Sequence, residues 1–197
     1  LYISHINAMR NFEMAFQRSS LQVQFTQGYN PKPKLEFVNP LSIGIEGLEE
    51  VMLAELVGVD SLTEAQVKLQ LQQALNEGYE VGQVVFLAGG KKQTLAKHLK
   101  GSRYTIDTRE DSQTRELLAQ LANDPVQGAQ VTNLDGRNFA VLIEGEKNMV
   151  KLLFGSEADK FALASRLTIV RTNVYAGSWD TSYPAYFETI REGRSVQ

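Results

Sequence analysis

The chain contains no cysteine, two histidines and one tryptophan. Without cysteine it has no disulfide framework, no thiolate nucleophile, no thiolate zinc site and no cysteine-held iron–sulfur cluster of its own. His5 and His98 are too few to suggest a histidine metal site, so no metal ligand is assigned. No apolar run approaches the roughly 20 residues that a bilayer-spanning helix needs, and no membrane contact is expected. Charge of one sign is also lacking. A net charge of -3 gives no global attraction to nucleic acid, so an anionic partner must be met by a local patch. The phosphate-loop, dinucleotide, nucleophile-elbow and H-E-x-x-H signatures do not occur. The opening LYISH starts inside a strand pattern with neither an initiator methionine nor a signal-peptide pattern. Residues upstream of Leu1 are therefore expected in the natural chain, and the location is read as cytoplasmic.

What is present is an ordinary globular composition, 43% hydrophobic and 22% charged over 197 residues, enough for one large domain or two small ones. Ile6, Met9, Phe12 and Phe16 recur at helical spacing behind Ser4 as N-cap, which predicts a helix to about Arg18. Alternation predicts a strand over Leu21–Phe25, and short extended pieces follow at Leu35–Val38 and Val51–Val57. The near-continuous apolar run of the last reads as fully buried. Ser61-Leu62-Thr63-Glu64 has the form of a capping box opening a helix with Val67, Leu71 and Leu75 on one side, ended by Gly78. Val81–Leu87 reads as a strand.

A second cycle follows: strand Arg103–Asp107, helix Gln113–Leu121, strand Val131–Leu134, an Asp135-Gly136 hairpin into Asn138–Ile143, a helix from Ser156 to Leu167, and strand Thr168–Tyr175. Each cycle is strand–helix–strand–strand–helix–strand. The expected fold is α+β, two ferredoxin-like (βαββαβ) halves with antiparallel sheets and helices on one face. The halves run over 1–90 and 102–176, joined by a basic connection at 91–101. A tail at 177–197 carries Trp179, Tyr183, Tyr186 and Phe187, straps the second half or docks elsewhere, and has no clear element.

Two stretches stand apart from scaffold. In FTQGYNPKPKLEFVNP, residues 25–40, Pro31 and Pro33 fix φ and push Asn30 and Lys32 toward extended geometry. Gly28 permits a positive φ or a close backbone approach. The loop then presents Tyr29, Asn30, Lys32 and Lys34 at little ordering cost, which suits a phosphate or nucleotide ligand; solubilising turn punctuation explains it equally well. Between Glu80 and Asp107 there is no acid, while Lys91, Lys92, Lys97, Lys100 and Arg103 form a basic strip. Such strips contact phosphates without reading sequence, although most charge runs are only solvated.

His5, at the first turn of a helix, could act as acid or base, but packing is the commoner role there. Arg137-Asn138-Phe139-Ala140-Val141 keeps part of an RNA-recognition strand signature without its second aromatic. Glu49-Glu50 reads as an unremarkable loop pair.

The string YISHINAMRNFEMAFQRSSLQVQFTQGYNPKPKLEFVNPLSIGIEG, residues 2–47, resembles the radical SAM-linked proteins, a bacterial family without an assigned function. Ser4, His5, Arg10, Gly28, Asn30, Pro31, Pro33, Lys34 and Gly44 fall on matching positions. Thr26 and Tyr29 are mild departures from serine and phenylalanine, and Lys32 stands where histidine is usual, which favours binding over catalysis at that position. The resemblance implies an accessory domain fused to, or working beside, a radical SAM enzyme. S-adenosylmethionine, an iron–sulfur cluster and cobalamin would belong to that partner, and RNA or a ribosomal component is the implied substrate. Paired ferredoxin-like halves also look like the RNA-processing RAMP proteins of CRISPR systems, a likeness of fold alone.

Three functions follow as expectations. The first is a non-catalytic module binding RNA or a phosphate-bearing substrate through Ser4, His5, Arg10, the 27–34 loop and the basic strip. The second is an RNA-processing or RNA-modifying enzyme using His5 and Lys32. The third is a protein-interaction domain that docks the radical SAM enzyme.

Overall fold

The structure, a computed structural model, describes residues 5–87, 94–156 and 158–192, with side chains described from residue 9 onward. Helical spacing at the start of the chain gives α1 (His5–Arg18). Ala15 and Phe16 are buried, and Phe12 lies edge-on to Phe37 and Tyr79. After it come β1 (Gln22–Val23), β2 (Leu35–Phe37), β3 (Glu46–Gly47), β4 (Met52–Ala54), β5 (Leu56–Val57) and α2 (Glu64–Ala74).

The expected strand at Val51–Val57 divides because it changes partner. β4 pairs antiparallel with β2, and β5 pairs antiparallel with β1. At the switch the backbone closes a triangle: Gln24 N–H donates to Glu55 O, Glu55 N–H to Lys34 O, and Lys34 N–H to Gln24 O. The segment is half-buried, with Val57 50% exposed, rather than buried on both faces.

α2 starts two residues later than the sequence pattern suggests. Thr63 is the N-cap, and Gln66 closes the capping box by accepting from the Thr63 N–H. That frees Glu64 to accept from Phe86 N–H, while Gln72 accepts from Val81 N–H. These side chains take amides that a strand would give to a neighbour, so 81–87 is an extended strap on α2 instead of the expected strand. The helix also stops at Leu75, ahead of Gly78.

The second half begins with a 3-10 turn at Leu95–His98. It continues through β6 (Leu99–Asp107), α3 (Ser112–Asn123), β7 (Ala129–Asn133), β8 (Asn138–Glu144), α4 (Met149–Phe154), α5 (Lys160–Arg166), β9 (Thr168–Ala176) and α6 (Tyr183–Arg191). Its strands lie in the order β9-β6-β8-β7, all neighbours antiparallel. Tyr104, Ile106, Val131, Phe139, Val141, Ile143 and Ile169 alternate onto one face, against Leu118, Leu153 and Leu163 of the helices. Phe139 is wholly buried there, which removes the one aromatic of the RNA-recognition-like signature from any base.

The fold is thus α+β with antiparallel sheets. The two halves differ: among the described residues the first makes two two-stranded ladders, while the second makes a four-stranded sheet. The first half also lends β3 to that sheet, parallel to β9, as a fifth strand.

The seam is polar at one point and apolar at another. Arg171 of β9, 1% exposed, donates through Nε and Nη2 to the Glu50 carboxylate and through Nη1 to Asn39 O. Burial works against its charge, but the hydrogen bonds and charge of Glu50 outweigh this and hold its pKa above the ordinary value. Asn173 similarly donates to Glu49. The acidic pair at 49–50 is therefore the clasp between halves, contrary to its unremarkable look in sequence. Gly44 matters beside it, since a Cβ there would come within 2.5 Å of the Ala164 Cβ on α5.

The aromatic tail is not a free docking arm. It forms α6, whose Tyr183 and Phe187 pack with Val38 and Leu53 from the first half and with Leu95 and Val174 from the second. Gln83 donates to Glu188, and Arg191 pairs with Glu64, so the helix is bound to both halves.

Candidate nucleic-acid interface

The 25–34 stretch is a projecting hairpin. Phe25 and Pro33 face each other across it, Thr26 N–H donates to Lys32 O at 2.8 Å, and Lys32 N–H returns to Thr26 Oγ1 at 3.0 Å. These bonds close the loop 27–31 from within. Gly28 has φ 140°, and a Cβ there would meet nothing within 4 Å. Its role is therefore the backbone angle; no close approach occurs.

Lys34 immediately precedes β2, which carries Glu36, while Phe25 and Pro33 pair in an isolated bridge. Tyr29, Asn30, Pro31 and Lys32 are exposed. The two lysines are not equivalent. Lys34 Nζ lies 2.7 Å from Glu55 Oε2, so its charge is largely answered within the molecule. Lys32 has no carboxylate partner among the described residues.

Glu36 joins this hairpin to the second cationic stretch. Its Oε1 accepts from Leu95 N–H at 2.8 Å and from Ala96 N–H at 3.4 Å, which fixes the start of the 3-10 turn against β2. Lys97 is exposed in that turn. Two features 60 residues apart in sequence are thereby brought together. If extended throughout, the chain from Lys32 to Glu36 spans about 13 Å.

The strip itself is not the continuous linker expected. β6 begins at Leu99, so Lys100 and Arg103 belong to a central sheet strand. Lys100 pairs with Glu144 at 3.1 Å and lies 5.4 Å from the Trp179 ring. Arg103 is exposed and unpaired among the described residues. His98 is used structurally: its Nδ1 is 2.9 Å from the Tyr186 hydroxyl, and its ring packs on Phe187.

Ser4, Lys91 and Lys92 lie outside the described residues, and His5 is described only as the first residue of α1. Arg10 is exposed on α1, with no hydrogen bond to the hairpin. Among the described residues no cluster of His, Asp or Glu could hold a metal ion. Within the same residues no helix is long and apolar enough to cross a membrane. A shallow groove of about 340 Å³ lies between the ends of α1 and α2, lined by Arg18, Ser20, Gln70 and Gln73. No hairpin residue lines it.

The site residues that sequence reasoning missed are Glu55 and Glu36. Glu55, between β4 and β5, meets the Lys34 ammonium, and Glu36 on β2 meets the Leu95 and Ala96 amides; only the strand register reveals these partners.

The chain matches, over residues 1–148, the family described as "Uncharacterized protein conserved in bacteria (DUF2344)". It belongs to that family. The match covers the hairpin and the strip and ends before α4. Neither a curated protein nor a solved structure matches the chain.

Proposed function

We propose that this protein is a non-catalytic module that binds RNA and serves a radical SAM enzyme, fused to it or separate. The observation that carries the RNA reading is the self-closed hairpin with its exposed Lys32, followed in the chain by Glu36, which holds the turn that bears the exposed Lys97. With Arg103, three cations of the hairpin and the strip are unanswered by carboxylates among the described residues, in a chain whose overall charge repels RNA. The radical SAM association rests on the resemblance over residues 2–47. Under it, S-adenosylmethionine, the iron–sulfur cluster and cobalamin belong to the partner, and both act in the cytoplasm. The strand order β9-β6-β8-β7 supports reading the second half as ferredoxin-like; the ladders of the first half give no equal support.

A convex hairpin cannot enclose a small phosphate ester, because small-ligand sites are concave. A large, extended partner is the better fit. The enzymatic alternative needs a second titrating group beside His5 and Lys32, and the carboxylate that reaches the hairpin lysines, Glu55, is engaged by Lys34. Docking of an enzyme through the tail would have to unpack Tyr183 and Phe187.

The test is a binding titration of single-stranded RNA against the full chain at several salt concentrations. Three phosphate contacts at about 0.7 each predict a log–log slope near -2. Lys32→Ala should weaken binding and lower that slope by about 0.7. Absence of binding at low salt rejects the reading. For the partner, co-purification with a radical SAM enzyme from the same cells is expected, and its absence counts against the accessory role.

A further inference from the structure

We infer that the hairpin tip recognises unpaired bases by stacking on Tyr29, so that its substrate is single-stranded RNA and not duplex or free phosphate. This inference rests on the RNA reading above. The hairpin looks cationic in sequence, but Glu55 answers Lys34 and leaves one free ammonium, Lys32. A single phosphate contact of this kind contributes little sequence-independent affinity. What the hairpin does offer is aromatic surface. Tyr29 is 108% exposed, so nothing among the described residues covers its ring, and Phe25 is 46% exposed on the flank.

An exposed aromatic on a loose loop would be unexceptional. Here the segment carrying it is fixed. Thr26 and Lys32 close the loop with two hydrogen bonds, Pro31 and Pro33 restrict φ, and Gly28 takes a backbone angle that side chains disfavour. The ring is therefore presented with part of the ordering entropy already spent, which is the condition under which a projecting group binds well.

Shape separates single from double strands. In an A-form helix the bases are stacked on each other and the major groove is too narrow to read, so a ring at the end of a convex tip finds no free base face. A loop, bulge or single strand offers such faces, and any base serves because each has a π-face. Lys32, three residues from Tyr29, then meets the adjoining phosphate, and Lys97 tracks the backbone beyond Glu36.

The experiment compares a single-stranded oligoribonucleotide, the same sequence annealed as a duplex, and inorganic phosphate as competitor. Wild type, Tyr29→Phe and Tyr29→Ala are measured, with melting curves to verify folding; among the described residues Tyr29 makes no packing contact that its loss would remove. Stacking on one base corresponds to a loss of about 5- to 150-fold on truncation. Tyr29→Ala is expected to lose affinity within that range for the single strand, and Tyr29→Phe to retain it. The duplex should bind more weakly than the single strand, and millimolar phosphate should not compete. If RNA binds but Tyr29→Ala is silent, or duplex binds as well as single strand, the stacking inference is overturned while the RNA reading stands. If neither RNA binds at low salt, both fall. Tyr29-dependent binding of a purified partner protein without RNA affinity would overturn both in favour of a protein contact.

Discussion

The two halves treat their backbones differently. β6 is hydrogen-bonded on both sides, by β8 along its length and by β9. The first half has only short ladders, and hands further amides to side chains: Val81 to Gln72 and Phe86 to Glu64. Buried backbone groups must find partners somewhere. The difference teaches that the sheet is a platform and the first half is an attachment, clasped to it by Arg171 and α6. The change of partner at Glu55 marks the base from which the hairpin projects.

Breaking the clasp should have the largest effect. Glu50→Ala leaves the buried Arg171 guanidinium without its charged partner and is expected to cost about 3–5 kcal/mol in chemical denaturation. An unchanged midpoint would mean that the halves cohere through α6 alone.

Gln72→Ala comes next. It strips the acceptor from Val81 N–H and the donor to Tyr79 O, for a loss of about 1–3 kcal/mol. Hydrogen exchange should quicken over 79–86 and stay slow in β6. Equal quickening in both would contradict the division of labour.

Acid sharpens the same contrast. The Phe86 amide, followed by Arg191, holds the Glu64 pKa below its ordinary 4.5. The Arg137 hydrogen bond, followed by the Arg109 amide, holds Asp107 below its ordinary 3.8. A depressed folded pKa contributes stability that is present above the unfolded value and lost as pH falls through the folded one. Loss should therefore begin near pH 4.5 at the first half and near 3.8 at the sheet. Both groups are close to solvent, so the effects are modest. Melting followed against pH should show a shallower decline below 4.5 in Glu64→Gln; an unaltered decline removes Glu64 from the account.

The smallest stability effect belongs to Lys34→Ala. Its exposed pair with Glu55 is worth about 0.2–1 kcal/mol, readable as a slight shift of the denaturation midpoint. A larger shift would make the pair structural and not merely a neutraliser.

Long, strongly periodic elements were legible in the sequence. α1, α3, β8 and β9 fall where apolar spacing puts them, because each buries one regular face. What escaped was decided by partners. β3 is two residues long and exists because β9 offers an edge. The 81–87 strap has a strand's composition, but α2 side chains took its amides. The capping box moved by two residues because Thr63 and Gln66 fit better than Ser61 and Glu64, whose carboxylate is needed by Phe86. The hairpin's stiffness could be read from its prolines and glycine. That only one of its lysines stays free could not, since Glu55 is 21 residues away and meets Lys34 only through the partner switch.

The most direct test of the central claim is the single-stranded RNA affinity of Lys32→Ala beside Lys34→Ala, measured across salt concentrations. The account predicts that the first substitution weakens binding and flattens the salt dependence, while the second, whose charge Glu55 already answers, does much less. Equal losses from both, or no RNA binding by the intact chain at low salt, would contradict it.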